Sequence, residues 1–305
     1  MTNVGQQLLS GGLSGLATTV CLQPFDLLKT RMQQGDGTRN IQKAFIFRTT
    51  RDVIISNGWA GLWRGTTASL VRNVPGVALY MTSLTQLRTI MASSPYFARI
   101  QQYSDRDTRN SSVLPKLTST GNLLAGATTR VAVGFLLNPF SVLKARFESN
   151  MYAYESLTGA LVSIGRQGPS ELLRGFMASS LRDAPYAGLF IVFYEGIKRE
   201  ASILAPATST THSAMIHSIS AASAGAIATL ATHPFDVIKT KIQVRSEDRY
   251  QGLIRTIRTI WEQRGVAGYF DGASLRMSRK VLSSAIGWAV YEGLLMFIRT
   301  SQLER

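Results

Sequence analysis

The sequence of 305 residues is poor in the side chains that bind metals and carry out much of enzyme chemistry. It has a single cysteine, Cys21, which excludes an intrachain disulfide and a thiolate metal cluster. The three histidines, His212, His217 and His233, lack the spacing of metal ligands. A phosphate-binding loop, a dinucleotide fingerprint and a nucleophile elbow are also missing. We therefore expect a protein that is not an enzyme and uses no metal or cofactor.

Charge is missing from two long stretches. Neither 2–25 nor 213–232 contains Asp, Glu, Lys or Arg. Each stretch has about the 20 residues that a helix needs to cross a bilayer. The hydrophobic share is 45% and the mean hydropathy +0.06, which suits a membrane protein whose helices line a water-filled cavity. No basic region followed by a short apolar core precedes the first stretch, so we expect no removable signal.

Acidic residues are also scarce, at 18 against 33 lysines and arginines, and the formal net charge is +15. On a soluble domain such an excess would raise nucleic-acid binding. Here the basic residues are dispersed, and no basic motif is interleaved with aromatic residues. We therefore expect no nucleic-acid partner, and anionic lipid as the partner of the basic surface.

One motif occurs three times, as PFDLLKTR at 24–31, PFSVLKAR at 139–146 and PFDVIKTK at 234–241. Each copy is followed by apolar residues at helical spacing, which is typical of an amphipathic helix on a membrane surface. After that helix comes a pair of glycines seven residues apart, and then a second apolar span. The glycine pairs are Gly58 and Gly65, Gly168 and Gly175, and Gly265 and Gly272; the second spans are 66–88, 177–198 and 273–295.

The repetition predicts an all-α membrane protein with six transmembrane helices in three repeats and three amphipathic surface helices. Both termini then lie on one side. The loops inside the repeats contain more lysine and arginine than the loops between them, so we expect the surface helices to face the compartment that acts as cytoplasm. The predicted boundaries are 1–92 for repeat 1, 93–116 for a polar loop, 117–200 for repeat 2, 201–212 for a second loop and 213–305 for repeat 3.

The threefold motif resembles the mitochondrial carrier family over almost the whole chain. The segments Leu62-Trp63-Arg64-Gly65, Leu173-Arg174-Gly175 and Tyr269-Phe270-Asp271-Gly272 strengthen the resemblance. It implies a pseudo-threefold bundle around a central cavity in the mitochondrial inner membrane, with the termini toward the intermembrane space. The surface helices would then face the matrix, where cardiolipin is the anionic lipid that we expect them to bind. We expect a monomer.

The resemblance also implies a gate of ion pairs between the proline-motif helices, which closes the matrix end. The acid and the base of each motif lie three residues apart and therefore share a helix face. The family's pairing would join Asp26 to Lys144 and Asp236 to Lys29. Exposed pairs contribute only about 0–1 kcal/mol, and burial raises both the gain and the cost, so we expect a weak lock that can open.

The second copy of the motif is incomplete. Ser141 stands where the acid would face Lys239. Members of the family often brace these pairs with a glutamine four residues after the base, and Gln33 and Gln243 match. Glu148 stands at the brace position of the second repeat, so its role as a brace stays open.

A second gate is implied at the intermembrane end of the second spans, where the family has an aromatic residue, an acid and a base. The second repeat has all three, the third lacks the base and the first keeps only the base. The alternative for these and the matrix-end charges is interfacial anchoring. The candidate residues are Arg88, Tyr194, Glu195, Lys198, Tyr291 and Glu292.

Three arginines, Arg72, Arg182 and Arg279, lie thirteen residues before the acid position of the second gate. At ~1.5 Å per residue this is about 20 Å deep, near the middle of the hydrocarbon core. Ionisable groups at that depth are costly, so we expect a role in substrate binding. Asp183 and Lys280 directly follow two of these arginines and join the candidate site.

Arg182 and Asp183 together suit a zwitterion, which needs a cation for its carboxylate and an anion for its ammonium group. Asp183 would repel keto acids and nucleotides. Arg130, at similar depth in repeat 2, is a further candidate for the carboxylate, as is Arg279. The alternatives are an Arg182–Asp183 pair with a structural role alone, and an Arg130 that pairs only with Asp183.

The segment at 182–189, RDAPYAGL, taken with Arg130 after Gly126, is similar to the glycine carriers of this family. The resemblance implies import of glycine into the matrix for haem synthesis by substrate-gated alternating access. Three alternatives stay open: a carrier of another small amino acid or carboxylate, a proton or anion leak, and a membrane scaffold with the carrier fold that does not transport.

Overall fold

The computed structural model describes residues 4–35, 42–94, 96, 117–154, 156–204, 210–283, 285, 286, 289 and 293. The secondary structure of these residues is helical, with two short 3₁₀ helices at Trp59–Trp63 and Asp248–Tyr250. Residues 273–283 are helical as well. The α-helices are α1 (Val4–Gln34), α2 (Gln42–Asn57), α3 (Thr66–Ala92), α4 (Ser119–Leu136), α5 (Asn138–Glu148), α6 (Leu157–Arg166), α7 (Pro169–Leu172), α8 (Phe176–Leu204), α9 (Thr210–Ala231), α10 (His233–Val244) and α11 (Leu253–Gly268).

The three motif prolines do not act alike. Helix α1 continues through Pro24. At the other two copies one helix ends and the next begins, with Pro139 in the first turn of α5 and Pro234 the second residue of α10. Proline has no N–H and clashes with the preceding turn, but it fits the first turn of a helix, where that N–H has no partner in the helix. The motif therefore opens a new helix in copies two and three.

The described helices were compared one by one with the length and apolar character of a membrane span. None combines the length and the apolar character needed to cross a bilayer. The consecutive helices at 120–136 and 138–148 reach that threshold together.

The described residues divide into two compact units. The first unit draws on Met1–Pro75, Leu137–Ala178 and His233–Arg305, and the second on Gly76–Leu136 and Ser179–Thr232. All three copies of the proline motif lie in the first unit, with the surface helices α2, α6 and α11. The second unit contains α4, α9 and most of α3 and α8.

Three small apolar clusters form the core of the first unit. Each combines a proline-motif helix with the surface helix that follows it, and is completed by a residue three positions after the second glycine of another copy. Those completing residues, Ala68, Ala178 and Leu275, connect copy one to two, two to three and three to one, so the packing is cyclic. The clusters are Leu27, Leu28, Met32, Val53, Leu62 and Leu275; Ala68, Val142, Leu143, Phe147, Ala160 and Ile164; and Ala178, Val237, Ile238, Ile242 and Ile260.

The surface helices bury one apolar side and expose another. Val53, Ile164 and Ile260 are buried in the three clusters. Phe47 of α2 and Ile254 of α11 are exposed by 76% and 80%, so these helices leave large apolar side chains uncovered. Such a face suits contact with lipid.

The glycine pairs have a conformational cause, because all six glycines have positive φ angles. The second glycine of each pair also permits a close approach. A Cβ placed on Gly175 would lie 2.8 Å from Cγ of Gln243, and one on Gly65 would lie 3.2 Å from Cγ of Glu148. At Gly272 the corresponding neighbour is Gln33 at 3.7 Å. The brace positions therefore pack on the second glycines of the other copies.

Replacing Gly175 by alanine tests this packing. The Gly175→Ala variant combines a strained positive φ angle with a Cβ that overlaps Gln243, at a cost of about 1–3 kcal/mol for the overpacking. We expect its unfolding temperature in detergent to fall. Gly165→Ala is the control, because Gly165 lies inside α6 with nothing within 4 Å of a built Cβ. That change should leave the unfolding temperature unchanged or raise it, and equal decreases in the two variants would contradict the argument.

Candidate functional site

The candidate gate lies where α1, α5 and α10 meet in the first unit. Nζ of Lys144 lies 2.7 Å from Oδ2 of Asp26, which joins α5 to α1. Lys29 forms an ion pair with Asp236, which joins α1 to α10. Both pairs implied by the resemblance are thus present. The four side chains are mostly buried, so each charge depends on its partner more than a surface charge would.

The Lys29–Asp236 pair has a neutral brace. Nε2 of Gln33 donates to Oδ2 of Asp236 at 3.2 Å. Oε1 of the same glutamine accepts from the hydroxyl of Thr240 at 2.7 Å. The glutamine and the lysine therefore contact the same carboxylate oxygen, while Thr240 of α10 holds the glutamine itself.

Toward α10, the second copy presents Ser141 where the other two copies present an aspartate. Nε2 of Gln243 donates to the Ser141 hydroxyl at 3.4 Å, so the brace position faces the serine. Lys239 is buried one turn earlier on α10. A serine hydroxyl brings no negative charge to this place. Ala145 also stands where the other copies have a threonine, which removes the hydroxyl that could hold the glutamine.

Glu148 occupies the brace position of the second copy and is only 3% exposed. Its Oε2 accepts from the hydroxyl of Thr30 at 2.7 Å, and its Oε1 accepts from Nε2 of Gln23 at 3.2 Å. Nζ of Lys144 lies 3.5 Å from Oε1. The side chain therefore takes two hydrogen bonds from α1 and adds a carboxylate beside the Lys144–Asp26 pair.

Arg279 lies at this gate as well. The sequence predicted it as a substrate-binding residue by its depth, and in the structure its Nε forms an ion pair with Oδ1 of Asp26. The Asp26 carboxylate is therefore shared between Lys144 and Arg279. Depth alone did not indicate which neighbour this guanidinium has.

A polar residue before each motif proline was not recognised as functional from the sequence. Each one hydrogen-bonds the carbonyl of the residue just before the second glycine of its own copy, and so fixes the start of the following helix. The signal was available, since the three aligned positions are all polar within apolar stretches. The pairs are Gln23 to Arg64 at 3.2 Å, Asn138 to Arg174 at 3.2 Å and His233 to Asp271 at 3.0 Å.

The last basic residue of each motif also has a partner that the sequence did not reveal. Each reaches a backbone carbonyl at the end of a neighbouring proline-motif helix. Cations are favourable there because the final carbonyls of a helix lack partners and carry partial negative charge. The contacts run cyclically, from Arg31 to the Glu148 carbonyl at 3.5 Å, from Arg146 to that of Gln243 at 3.2 Å and from Lys241 to that of Gly35 at 2.7 Å.

In the second unit, the predicted substrate residues Arg182 and Asp183 contact each other on α8. Nε of the arginine lies 2.8 Å from Oδ1 of the aspartate, and Nη2 lies 3.0 Å from Oδ2. Both side chains are half-buried. This two-point pair neutralises both charges and leaves them partly accessible.

The other predicted substrate residues have different surroundings. The guanidinium of Arg130 lies 5.1 Å from the centre of the Tyr80 ring, within the second unit. Across the part of the chain that the structure describes, it forms no ion pair. In the first unit, Nη1 of Arg72 lies 3.3 Å from Oδ1 of Asn73, and Lys280 is exposed.

The predicted second gate is described only in part. In the second unit, Nζ of Lys198 lies 6.0 Å from the centre of the Tyr194 ring, and Glu195 is exposed. Arg88 is half-buried. Tyr291 and Glu292 lie outside the described residues.

Together these contacts define a class, an all-helical protein in which three copies of one proline motif interlock through buried charges. The family model described as Mitochondrial carrier protein matches residues 1–95, 115–202 and 210–302. The chain therefore belongs to the mitochondrial carrier family, as the resemblance of its motifs indicated.

Three curated relatives carry the name mitochondrial glycine transporter. The one from Laccaria bicolor is 75% identical over 308 residues, which cover 99% of this chain and 100% of the relative. The one from Emericella nidulans is 43% identical over 292 residues, with 94% of this chain and 86% of the relative covered. The one from Coccidioides immitis is 43% identical over 312 residues, with 94% and 88% covered.

Replacing Asp26 by asparagine tests the shared carboxylate. The Asp26→Asn variant removes the charge that Lys144 and Arg279 both contact, and leaving buried charges uncompensated costs about 3–5 kcal/mol. We expect a clear decrease in the unfolding temperature in detergent. Glu262→Gln is the control, because it removes the acid of an exposed pair with Arg258, whose side chains are 58% and 81% exposed. That variant should unfold close to the wild-type temperature, and a decrease as large as that of Asp26→Asn would contradict the argument.

Proposed function

We propose that this chain is a transporter, not an enzyme, that imports glycine across the mitochondrial inner membrane into the matrix, where glycine supplies haem synthesis. The observation that carries transport is the set of buried ion pairs joining α1 to α5 and α10. Buried charges that can exchange partners suit a gate better than a permanent scaffold, because a hydrophobic contact would hold the helices together as well. The choice of glycine is supported by the names of the relatives and by the Arg182–Asp183 pair.

The proposed architecture has six transmembrane helices in three repeats, with both termini toward the intermembrane space. The cyclic packing of the three clusters and the three separate stretches matched by the family model support this division. The surface helices would lie against the matrix side and bind cardiolipin, and the protein would act as a monomer. The boundaries are 1–92, 117–200 and 213–305 for the repeats, with loops at 93–116 and 201–212.

The proposed matrix gate consists of the acids and bases of the three motifs with their braces. Two of its ion pairs, Lys144–Asp26 and Lys29–Asp236, are formed in this structure, and under this proposal they would keep the matrix side closed. Opening requires these ion pairs to separate, which costs free energy. Substrate binding can offset this cost only if the substrate binds more tightly once the pairs have separated. A second gate at Arg88, Tyr194, Glu195, Lys198, Tyr291 and Glu292 would form as the first one opens.

The proposed substrate site centres on Arg182 and Asp183. Without substrate the two charges satisfy each other, so neither is left unpaired. A zwitterion can replace the pair with an equal number of contacts, its carboxylate on Arg182 and its ammonium group on Asp183. Arg130 stacks on Tyr80 and can turn its guanidinium toward the carboxylate. A simple anion would bind Arg182 but would be repelled by Asp183. Arg72, Arg279 and Lys280, which belong to the first unit, stay candidates by their depth in the sequence.

The Asp183→Asn variant tests the proposed ammonium site. The amide keeps the shape of the side chain but loses the charge that binds the ammonium group, so we expect glycine uptake into liposomes to fall by at least about tenfold, as loss of one charged contact implies. Glu200→Gln is the control, because Glu200 forms a neighbouring pair with Arg199 on the same helix with both side chains exposed. That control should keep wild-type uptake. Wild-type uptake in Asp183→Asn would disprove the ammonium role.

Competition between labelled glycine and unlabelled compounds tests whether glycine is the preferred substrate. Uptake of labelled glycine by the purified protein in liposomes is measured against unlabelled glycine, serine, alanine, keto acids and nucleotides. We expect unlabelled glycine to inhibit uptake more strongly than serine or alanine. Keto acids and nucleotides should inhibit weakly, because Asp183 repels them. Stronger competition by a different substrate would replace glycine with that substrate, and the absence of any uptake would favour a scaffold.

A further inference from the structure

The number of acids at the matrix gate does not follow from the motif. The three copies supply only two, Asp26 and Asp236, because Ser141 stands at the third position. The structure nevertheless places a third buried carboxylate at the gate, that of Glu148. Seven residues separate Ser141 from Glu148 along α5, about two helical turns, so both lie on the same face of the helix.

The contacts of Glu148 differ from those of a neutral brace. Gln33 donates to the acid of its pair, whereas Glu148 lies 3.5 Å from the base, Lys144. Two donors from α1, the hydroxyl of Thr30 and the amide of Gln23, point at its two oxygens. Donors on both oxygens favour the ionised carboxylate. Glu148 therefore places a carboxylate where the aligned positions place an amide.

We infer that Glu148 is the third acid of the matrix gate, moved two turns along α5 from the position that Ser141 occupies. This inference rests on the proposed function, since it concerns the gate of that transporter. Its consequence is an asymmetric gate. The contact between α1 and α5 contains two acids, Asp26 and Glu148, whereas Ser141 meets α10 through the hydrogen bond from Gln243.

Charge balance makes the inference testable. Among the described residues, the gate acids are Asp26, Asp236 and Glu148, and ion pairs join them to Lys29, Lys144 and Arg279. Glu148→Gln removes one acid while keeping the size and the hydrogen-bonding groups of the side chain. Ser141→Asp adds one acid at the aligned position, which the family's pairing joins to Lys239 of α10. The double variant moves the acid back to the aligned position, and each copy then has one aspartate and one glutamine, as in the first and third motifs.

The experiment compares the unfolding temperatures of the wild type, both single variants and the double variant in detergent without substrate. We expect Glu148→Gln to unfold several degrees lower, Ser141→Asp to unfold higher, and the double variant to return close to the wild type. Glu148→Asp keeps the charge and should unfold above Glu148→Gln. If Glu148 is only a hydrogen-bonding brace, Glu148→Gln will match the wild type and the double variant will match Ser141→Asp, which overturns the inference.

Glycine uptake gives a readout that a merely structural role would not change. A weaker matrix gate lowers the fraction of protein that is closed toward the matrix and open to substrate from the intermembrane side. The apparent affinity for glycine falls in proportion to that fraction. We expect Glu148→Gln to raise KM severalfold with a smaller change in Vmax, and the double variant to restore KM. An unchanged KM in Glu148→Gln would overturn the inference. If the wild type takes up no glycine while the unfolding temperatures keep the expected order, the proposed function fails and the assignment of Glu148 stands.

Discussion

A buried charge needs a partner, and this constraint organises the whole first unit. Asp26 lies between Lys144 and Arg279, and Lys29 of the same helix pairs with Asp236. Since every partner belongs to another helix, no proline-motif helix can move without separating charges. The apolar clusters of the first unit are small, and each is completed by a residue of another copy. Packing and charge pairing therefore impose the same cyclic order.

Much of this order could be predicted by aligning the three copies with one another. The glycine pairs recur at fixed offsets, and the ion pairs at Asp26 and Lys29 are those that the resemblance to the carrier family implied. The contacts of Gln23, Asn138 and His233 could not be predicted in this way, because their partners are backbone carbonyls, which have no signature in the sequence. Counting residues gives the depth of a side chain along its own helix and does not identify the neighbouring helix. The ion pair of Arg279 with Asp26 was missed for that reason.

Glu148 shows how a departure from a repeat can carry information. In the alignment it replaces a glutamine, which leaves its role as a brace open. In the structure its carboxylate lies beside Lys144 and accepts hydrogen bonds from α1. The missing acid at Ser141 and the additional acid at Glu148 lie on one face of one helix. Considered together they give the gate three buried acids, Asp26, Asp236 and Glu148, whereas each change considered alone is a departure from the motif.

The two charged sites share one physical property, which bears on the kind of substrate. Arg182 and Asp183 neutralise each other when no substrate is bound, and the gate acids are likewise in contact with bases. A zwitterion such as glycine adds no net charge, so it can exchange with the Arg182–Asp183 pair without leaving a charge alone in a site of low polarity. Under the proposed function, an anion would be repelled by Asp183, and a cation would be repelled by Arg182. Under the proposed function, the free-energy cost of opening the gate therefore comes mainly from separating its ion pairs. The zwitterionic substrate, with no net charge, adds little to that cost.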